Sequence, residues 1–171
     1  LGSNLKSKYG DRFKNIKKII SLLKKEKFTV LKTSSFYETP SYPIKNKPKF
    51  INIIVQVKFT YGLESLFKKI SLIEKKMGRI RKKKNQSRTC DIDVVDYNGI
   101  ISRTKKIFLP HPKAHKRNFV LYPLKEVFPR WVHPKNKYKI NKLINNLSQK
   151  LKNEIKLVKW YTLLMINNDQ L

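Results

Sequence analysis

Apolar residues along this chain alternate between two spacings, and the changes of spacing mark out its elements. In residues 11–25, Phe13, Ile16, Ile20 and Leu23 recur every three or four positions with Ile19 beside them, which predicts an amphipathic helix. Residues 28–37 are rich in β-branched and aromatic side chains and read as a strand. Pro40, Pro43 and Pro48 then punctuate a loop over 39–49. In residues 50–59 the spacing falls to two. Ile51, Ile53, Val55, Val57 and Phe59 share one face of a strand, and Phe50 and Asn52 point to the other. Helical spacing returns over 63–77 with Leu63, Leu66, Phe67, Ile70, Ile73 and Met77, and Gly78 is the expected terminator.

The second half is less regular. A basic loop spans 78–87 and leads to a strand over 91–97. Asn98-Gly99 is a hairpin signal, so residues 100–109 are expected to return as its partner. Residues 110–118 read as a short helix or loop, and 119–127 is mixed in character. Pro129 and Pro134 break the next stretch of chain, and 138–151 suggests a last helix. Helices alternate with strands, but hairpins intervene, which favours an α+β fold over a doubly wound sheet. The pattern predicts one domain over 1–160 and a short tail over 161–171. The abrupt opening on Leu1-Gly2-Ser3-Asn4 leads us to expect that a strand lies upstream of it.

Composition adds limits. Among 171 residues, 40% are hydrophobic, enough for a real core and too many for a disordered chain. No apolar run approaches the roughly 20 residues that cross a bilayer. Cys90 is the single cysteine, so no internal disulfide forms, which fits a reducing, cytoplasmic setting. Lys and Arg number 40 against 11 Asp and Glu, a net charge of +29. That balance first suggests a polyanionic partner. The lysines, however, spread over nearly the whole chain among many Asn and Ile residues, with no exclusive basic stripe. An A/T-rich coding bias accounts for the excess better than nucleic-acid binding does.

The sharpest local feature is Asp91-Ile92-Asp93. Residues i and i+2 of a strand share a face, so the two carboxylates project together and repel unless a cation lies between them. Hard oxygen ligands suit Mg²⁺, which would also carry a triphosphate. Just upstream lie Arg79, Arg81, Lys82, Lys83, Lys84 and Arg88, cations of the kind that grip phosphate oxygens. No glycine-rich phosphate loop is present, so any such grip must come from side chains. Glu74 falls inside the apolar stripe of its helix. It needs a partner such as Arg79, Arg81 or Arg88, unless it snorkels from the stripe's edge. His111 and His115 are four apart. A zinc site would need more ligands than the sequence offers, whereas phosphate contact beside Arg117 is a natural role. Phe50 and Phe119 are by default core residues.

Taken in order, these pieces resemble a known family, the hydroxymethyl-dihydropterin pyrophosphokinases of folate biosynthesis. The matching stretches are Leu1-Gly2-Ser3-Asn4, Ser34-Ser35-Phe36-Tyr37-Glu38-Thr39 and Phe50-Ile51-Asn52, then Glu74, and Gly78-Arg79-Ile80-Arg81. Arg88-Thr89-Cys90-Asp91-Ile92-Asp93, Leu109-Pro110-His111-Pro112, His115 to Leu121 and Pro123-Leu124 complete the set. The resemblance implies a ferredoxin-like α/β sandwich with a mostly antiparallel central sheet flanked by helices. It implies a pterin ring stacked between Phe50 and Phe119, with Asn52 on the pterin edge and help from Thr39, Pro40, Tyr42 and Asp91. Asp91 and Asp93 would hold two Mg²⁺ ions. Glu74, Arg79, Arg81, Arg88, His111 and Arg117 would serve ATP, with Arg79, Arg88, Asp91 and Asp93 as the catalytic set. The implied reaction is attack of the pterin hydroxymethyl oxygen on the β-phosphorus of ATP, releasing AMP, by a monomer with small-molecule partners and no membrane. Cys90 would pack on the opposite strand face from both aspartates. The aromatic residue and glycine usual in the family before the Arg-Thr are replaced by Asn85 and Gln86. Two rivals stand beside this reading. A basic RNA-binding module would need an aromatic RNP strand pattern, which is absent. A nucleotidyltransferase would place its Gly-Ser close to its D-x-D, and here they lie far apart.

Overall fold

The computed structural model describes residues 1–41, 46–79, 87–104 and 107–159. Tyr42, Arg81, Asn85, Gln86 and the tail over 161–171 lie outside them. Among the described residues the chain forms eight strands and five α-helices: β1 (Gly2–Ser3), α1 (Arg12–Lys25), β2 (Thr29–Thr33), β3 (Tyr37–Thr39), β4 (Phe50–Asn52), β5 (Val55–Lys58), α2 (Leu63–Lys76), β6 (Ser102–Arg103), β7 (Phe108–Leu109), α3 (Asn118–Val127), α4 (Ile140–Asn145), α5 (Gln149–Glu154) and β8 (Lys156–Leu157). Helices and antiparallel strands together make it an α+β protein.

Helix α1 begins where Asp11 accepts hydrogen bonds from the N–H groups of Phe13 and Lys14, and Lys24 and Lys25 occupy its last turn. Those are the charges its dipole favours at each end. Ile16 and Ile19 are fully buried and Leu22 is nearly so, while Ile20 only flanks the core. The buried stripe is therefore rotated slightly from the expected one. Helix α2 buries Leu66, Ile70, Ile73 and Glu74 and ends at Met77, followed by Gly78 at φ 76°. That left-handed conformation is one glycine adopts at little cost.

The two expected long strands each divide. Residues 29–39 and 50–58 form one antiparallel ribbon in two sections: β2 pairs with β5, and β3 with β4. Between the sections, Ser34 N–H donates to the Ile54 carbonyl and Ser34 Oγ accepts from Ile54 N–H. A side chain thus replaces a ladder carbonyl, and a bulge at Leu31 adds a second irregularity. The alternation still holds across the break. Ile51 and Ile53 are buried, and Val55, Val57 and Phe59 join the same cluster. That cluster, with α1 and α2, is the main core. Ile54 and Val95 instead join Leu121, Leu124, Trp131, Ile140 and Leu143, contributed by α3, α4 and the segment between them. Helices therefore cover both faces of the sheet.

The four-stranded sheet has the order β1-β4-β3-β8. Beyond β1, Gly2 and Asp91 exchange both backbone hydrogen bonds at 2.8 Å, and Asn4 N–H donates to the Arg88 carbonyl at 3.0 Å. The expected strand over 91–97 is reduced to this single bridge. Part of its hydrogen bonding goes elsewhere, with Ile92 N–H donating to the Glu74 carboxylate and His111 N–H to the Val95 carbonyl. Asn98 and Gly99 do form the expected tight turn, both with positive φ. Residues 100–109 do not return as one partner strand, because β6 and β7 pair with each other.

Residues 118–127, mixed in the sequence reading, are helical despite Pro123. The burial of Val120, Leu121, Leu124 and Val127 outweighs the missing donor. The last expected helix is two, α4 and α5, with Ser148 capping the second. Strand β8 was not foreseen. Helix α3 is fastened to β3 by Glu126, whose Oε1 accepts from Ser35 N–H at 2.9 Å and Ser35 Oγ at 2.8 Å, and whose Oε2 accepts from the Tyr37 hydroxyl at 3.1 Å. Burial, and then the Glu126 charge, push the Tyr37 hydroxyl up to about 12. Glu126→Ala is expected to lower stability by about 1 kcal/mol, a value kept small by exposure. Glu126→Gln, which keeps the acceptor facing Ser35, should lose less; equal losses in chemical denaturation would contradict the clamp.

Candidate active site

The site forms where β1 lies between β4 and the segment leading into Asp91. The edge of Gly2 sets its geometry. A Cβ built on Gly2 would lie 3.3 Å from Asn52 Oδ1, 3.7 Å from Asp91 Cβ and 3.8 Å from the Phe50 ring. One backbone position thus touches residues expected for the pterin and a residue expected for the metal. Register explains this. Gly2 pairs with Asn52 on one side and with Asp91 on the other. Phe50 and Asn52, two apart on β4, share the face opposite the buried Ile51. Asn52 is buried and donates from Nδ2 to Thr39 Oγ1 at 3.0 Å, so its orientation is fixed. Pro40 follows Thr39 at the end of β3 and is half-buried.

Asp91 and Asp93 meet cations directly. Asp91 receives Arg79 at 2.8 Å on one oxygen and Arg88 at 3.1 Å on the other. Asp93 lies 3.4 Å from Arg117 and 3.7 Å from His111 Nε2. Arg79 also pairs with Glu74, which is 4% exposed in the apolar stripe of α2. Of the two readings of Glu74, the paired one holds, and its partner is Arg79. The Glu74 carboxylate also takes the Ile92 N–H, so it holds an arginine and the aspartate-bearing segment together. Arg88 Nε is buried and has no acceptor among the described residues.

His111 Nδ1 accepts from Lys113 N–H at 3.2 Å, which places the imidazole proton on Nε2, facing Asp93. Burial holds its pKa below the usual imidazole value, opposed by Asp93 and reinforced by Arg117. His115 does not share that face. It lies on a single 3₁₀ turn (Ala114–Lys116) and meets His133 edge-on, with ring centroids 5.3 Å apart. A cavity of about 310 Å³ lies beside these histidines, walled by Phe108, Pro110, Pro112, His133 and Lys135, and it shares His111 with the charged cluster. Cys90, between the two halves of the site, is fully buried in the main core, and burial pushes its thiol up to about 12. It packs there as expected.

Phe119 is the second residue of α3 and is partly buried. Asn118, just before it, donates from Nδ2 to the Leu151 carbonyl at 2.5 Å and accepts the Phe119 N–H. Arginines flank both candidate aromatic walls: the Arg88 guanidinium is 5.9 Å from the Phe50 ring centre and that of Arg117 is 5.3 Å from Phe119. The two aromatic rings thus adjoin the arginine–carboxylate cluster. The sequence reading missed the roles of Gly2, Asn4 and Asn118. Their partners lie far along the chain, so no local spacing signals them. Among the described residues no group of three or more His, Cys, Asp or Glu is arranged to hold a metal alone. A pair of carboxylates is nevertheless a fitting donor set for Mg²⁺, which binds through one or two carboxylates and takes its remaining ligands from phosphates and water.

Gly2→Val is expected to fold, since valine suits a strand. Its methyl groups would crowd Asn52 and Phe50 and weaken pterin binding by about 1–3 kcal/mol. Unchanged pterin affinity, measured by calorimetry, would show that the site lies elsewhere.

Residues 1–129 match the family described as 7,8-dihydro-6-hydroxymethylpterin-pyrophosphokinase (HPPK). A 2-amino-4-hydroxy-6-hydroxymethyldihydropteridine pyrophosphokinase of Aquifex aeolicus is 37% identical over 134 residues, covering 78% of this chain and 81% of its own. The pyrophosphokinase of the same name from Bacillus subtilis is 34% identical over 128 residues, covering 74% of each. The folic acid synthesis protein FOL1 of Dictyostelium discoideum is 36% identical over 146 residues, 85% of this chain; the chain spans only 22% of that protein's length. With three-quarters of its length inside the family match and a site that gathers the matching residues at one strand end, the chain belongs to the HPPK family.

Proposed function

We propose that this constellation carries out the transfer for which the family is named. The pyrophosphate of ATP passes to the hydroxymethyl group of 6-hydroxymethyl-7,8-dihydropterin, giving AMP and the dihydropterin diphosphate. The observation that carries the reading is the convergence at Gly2 of Phe50, Asn52 and Asp91, with Arg79 and Arg88 on the aspartate.

In this reading the pterin ring stacks between Phe50 and Phe119. Asn52, held by Thr39, presents its amide to the pterin edge, with Pro40 and Tyr42 completing that side. Asp91 and Asp93 hold two Mg²⁺ ions. When bound, these supply neutralisation of the phosphate charge. Arg79, Arg88 and Arg117 lie beside the carboxylates and meet phosphate oxygens, with Arg88 Nε ready as a donor. Arg81 joins them. His111 donates its Nε2 proton to a phosphate oxygen, and Glu74 serves the nucleotide side through Arg79. The cavity sharing His111 is the place assigned to the nucleoside.

The hydroxymethyl oxygen forms a bond to the β-phosphorus as its O–H bond breaks and the proton passes to solvent, and the bond from that phosphorus to the α,β-bridging oxygen breaks, that oxygen leaving on AMP. Alignment and charge neutralisation supply the acceleration, so no covalent intermediate is needed. The buried Cys90 takes no part. Several finer features belong to the same reading: a ferredoxin-like arrangement of the sheet, a single domain over 1–160, a monomer, and a cytoplasmic setting. The free thiol of Cys90 supports the last. No helix among the described residues is long and apolar enough to cross a membrane.

Asp93→Ala is expected to retain the wild-type unfolding profile and to lose turnover by about a hundredfold or more. Near-normal turnover would remove the aspartate from the metal site. Phe119→Ala should weaken pterin binding more than ATP binding in parallel titrations, and the reverse ranking would contradict the stacking assignment.

A further inference from the structure

Asn4 follows β1 at the point where the strand leaves the sheet, and it is 1% exposed. Its hydrogen bonds run in two directions. Toward one side, its N–H donates to the Arg88 carbonyl at 3.0 Å and its Oδ1 accepts the Arg88 N–H at 2.7 Å. A backbone N–H can only donate, so the amide oxygen must face Arg88 and the NH₂ group the remaining partners. Those are the Ser87 Oγ at 3.1 Å, the Pro48 carbonyl at 3.0 Å and the Ser41 Oγ at 3.3 Å. Ser41 in turn donates to the Pro48 carbonyl at 2.6 Å, which closes the base of the proline loop.

One buried amide therefore joins two stretches that lie far apart in the sequence. Ser41 and Pro48 bracket the loop between Thr39 and Phe50, on the pterin side. Ser87 and Arg88 lead into Asp91, on the nucleotide side. We infer that Asn4 is a positioning residue that couples the binding of the two substrates, an inference that rests on the pyrophosphoryl-transfer reading. The physical route is shared ordering. A pterin that settles the base of the proline loop fixes the Asn4 amide, and with it Ser87 and Arg88, so the nucleotide meets a segment already in place. By linkage the nucleotide does the same for the pterin. Asn4 itself touches neither reacting atom. A purely structural amide would contribute to stability without linking the two affinities.

The test uses the full chain and calorimetry. The affinity for hydroxymethyl-dihydropterin is measured with and without Mg²⁺ and α,β-methylene ATP, whose carbon bridge blocks transfer. In the wild type the nucleotide should tighten pterin binding by about fivefold or more, within the usual range of such couplings. In Asn4→Ala that ratio should fall to near one. Ser41→Ala and Ser87→Ala each remove one arm of the network and leave Asn4 in place. Each should reduce the ratio, the first weakening chiefly the pterin and the second chiefly the nucleotide. A folded Asn4→Ala with the wild-type ratio overturns the inference. If Asn4→Ala does not fold, wild-type ratios in both serine variants overturn it instead. A wild-type chain that binds neither ligand overturns the transfer reading as well, which separates that failure from this one.

Discussion

Everything in this site depends on a two-residue strand held on both edges. Gly2 pairs with Asn52 on one side and with Asp91 on the other, and each pairing fixes the register of a different half of the site. A strand with partners on both edges cannot slip without breaking both ladders. Glycine leaves room there: a Cβ would press on Asn52 Oδ1 at 3.3 Å and touch Phe50 and Asp91 at ordinary contact distance. The main core supports this arrangement from below, since Ile51 and Cys90 lie fully buried beside the residues that carry the chemistry. The strand alternation that buries Ile51 also turns Phe50 and Asn52 to the opposite face, beside Gly2.

Charge takes its meaning from position. The chain carries a net charge of +29, yet the cations with an assigned role are a handful of arginines placed against two carboxylates. Arg79 is held by Glu74 from beneath and reaches Asp91 from there. A guanidinium fixed in this way loses little freedom when it meets a phosphate. The neutral His111, its proton directed to Nε2 by the Lys113 backbone, adds a donor without adding charge. The arginines beside Phe50 and Phe119 bring the two rings into contact with the charged cluster, an arrangement that the proposed reaction between a flat ring's side arm and a triphosphate would use.

Much of this was legible in the residues. The period-two run from Ile51 to Phe59 placed the core face correctly, even though the ladder breaks at Ser34 and Ile54. The polar residue in the stripe of α2 pointed to a buried pair at Glu74. What was not legible depended on contacts remote in sequence. The strand after Cys90 is a single bridge, and its Ile92 N–H goes to Glu74, a contact that no local pattern around Ile92 announces. Residues 119–127 looked mixed, whereas the burial of Leu121 and Leu124 sustains a helix through Pro123. Asn4 stood out only as the end of the Leu1–Asn4 stretch, with no role of its own, because its partners lie 37 to 84 residues away. His111 and His115 looked alike, but His115 lies on a 3₁₀ turn that sets it against His133, while His111 lies beside Asp93.

The most direct measurement of the central claim is AMP release from Mg²⁺-ATP by the folded chain, with and without hydroxymethyl-dihydropterin, with the pterin product identified by mass. The account predicts AMP formation that depends on the pterin, matched mole for mole by the pyrophosphorylated pterin. AMP release that ignores the pterin, or no release from a folded chain that binds both substrates, would contradict it.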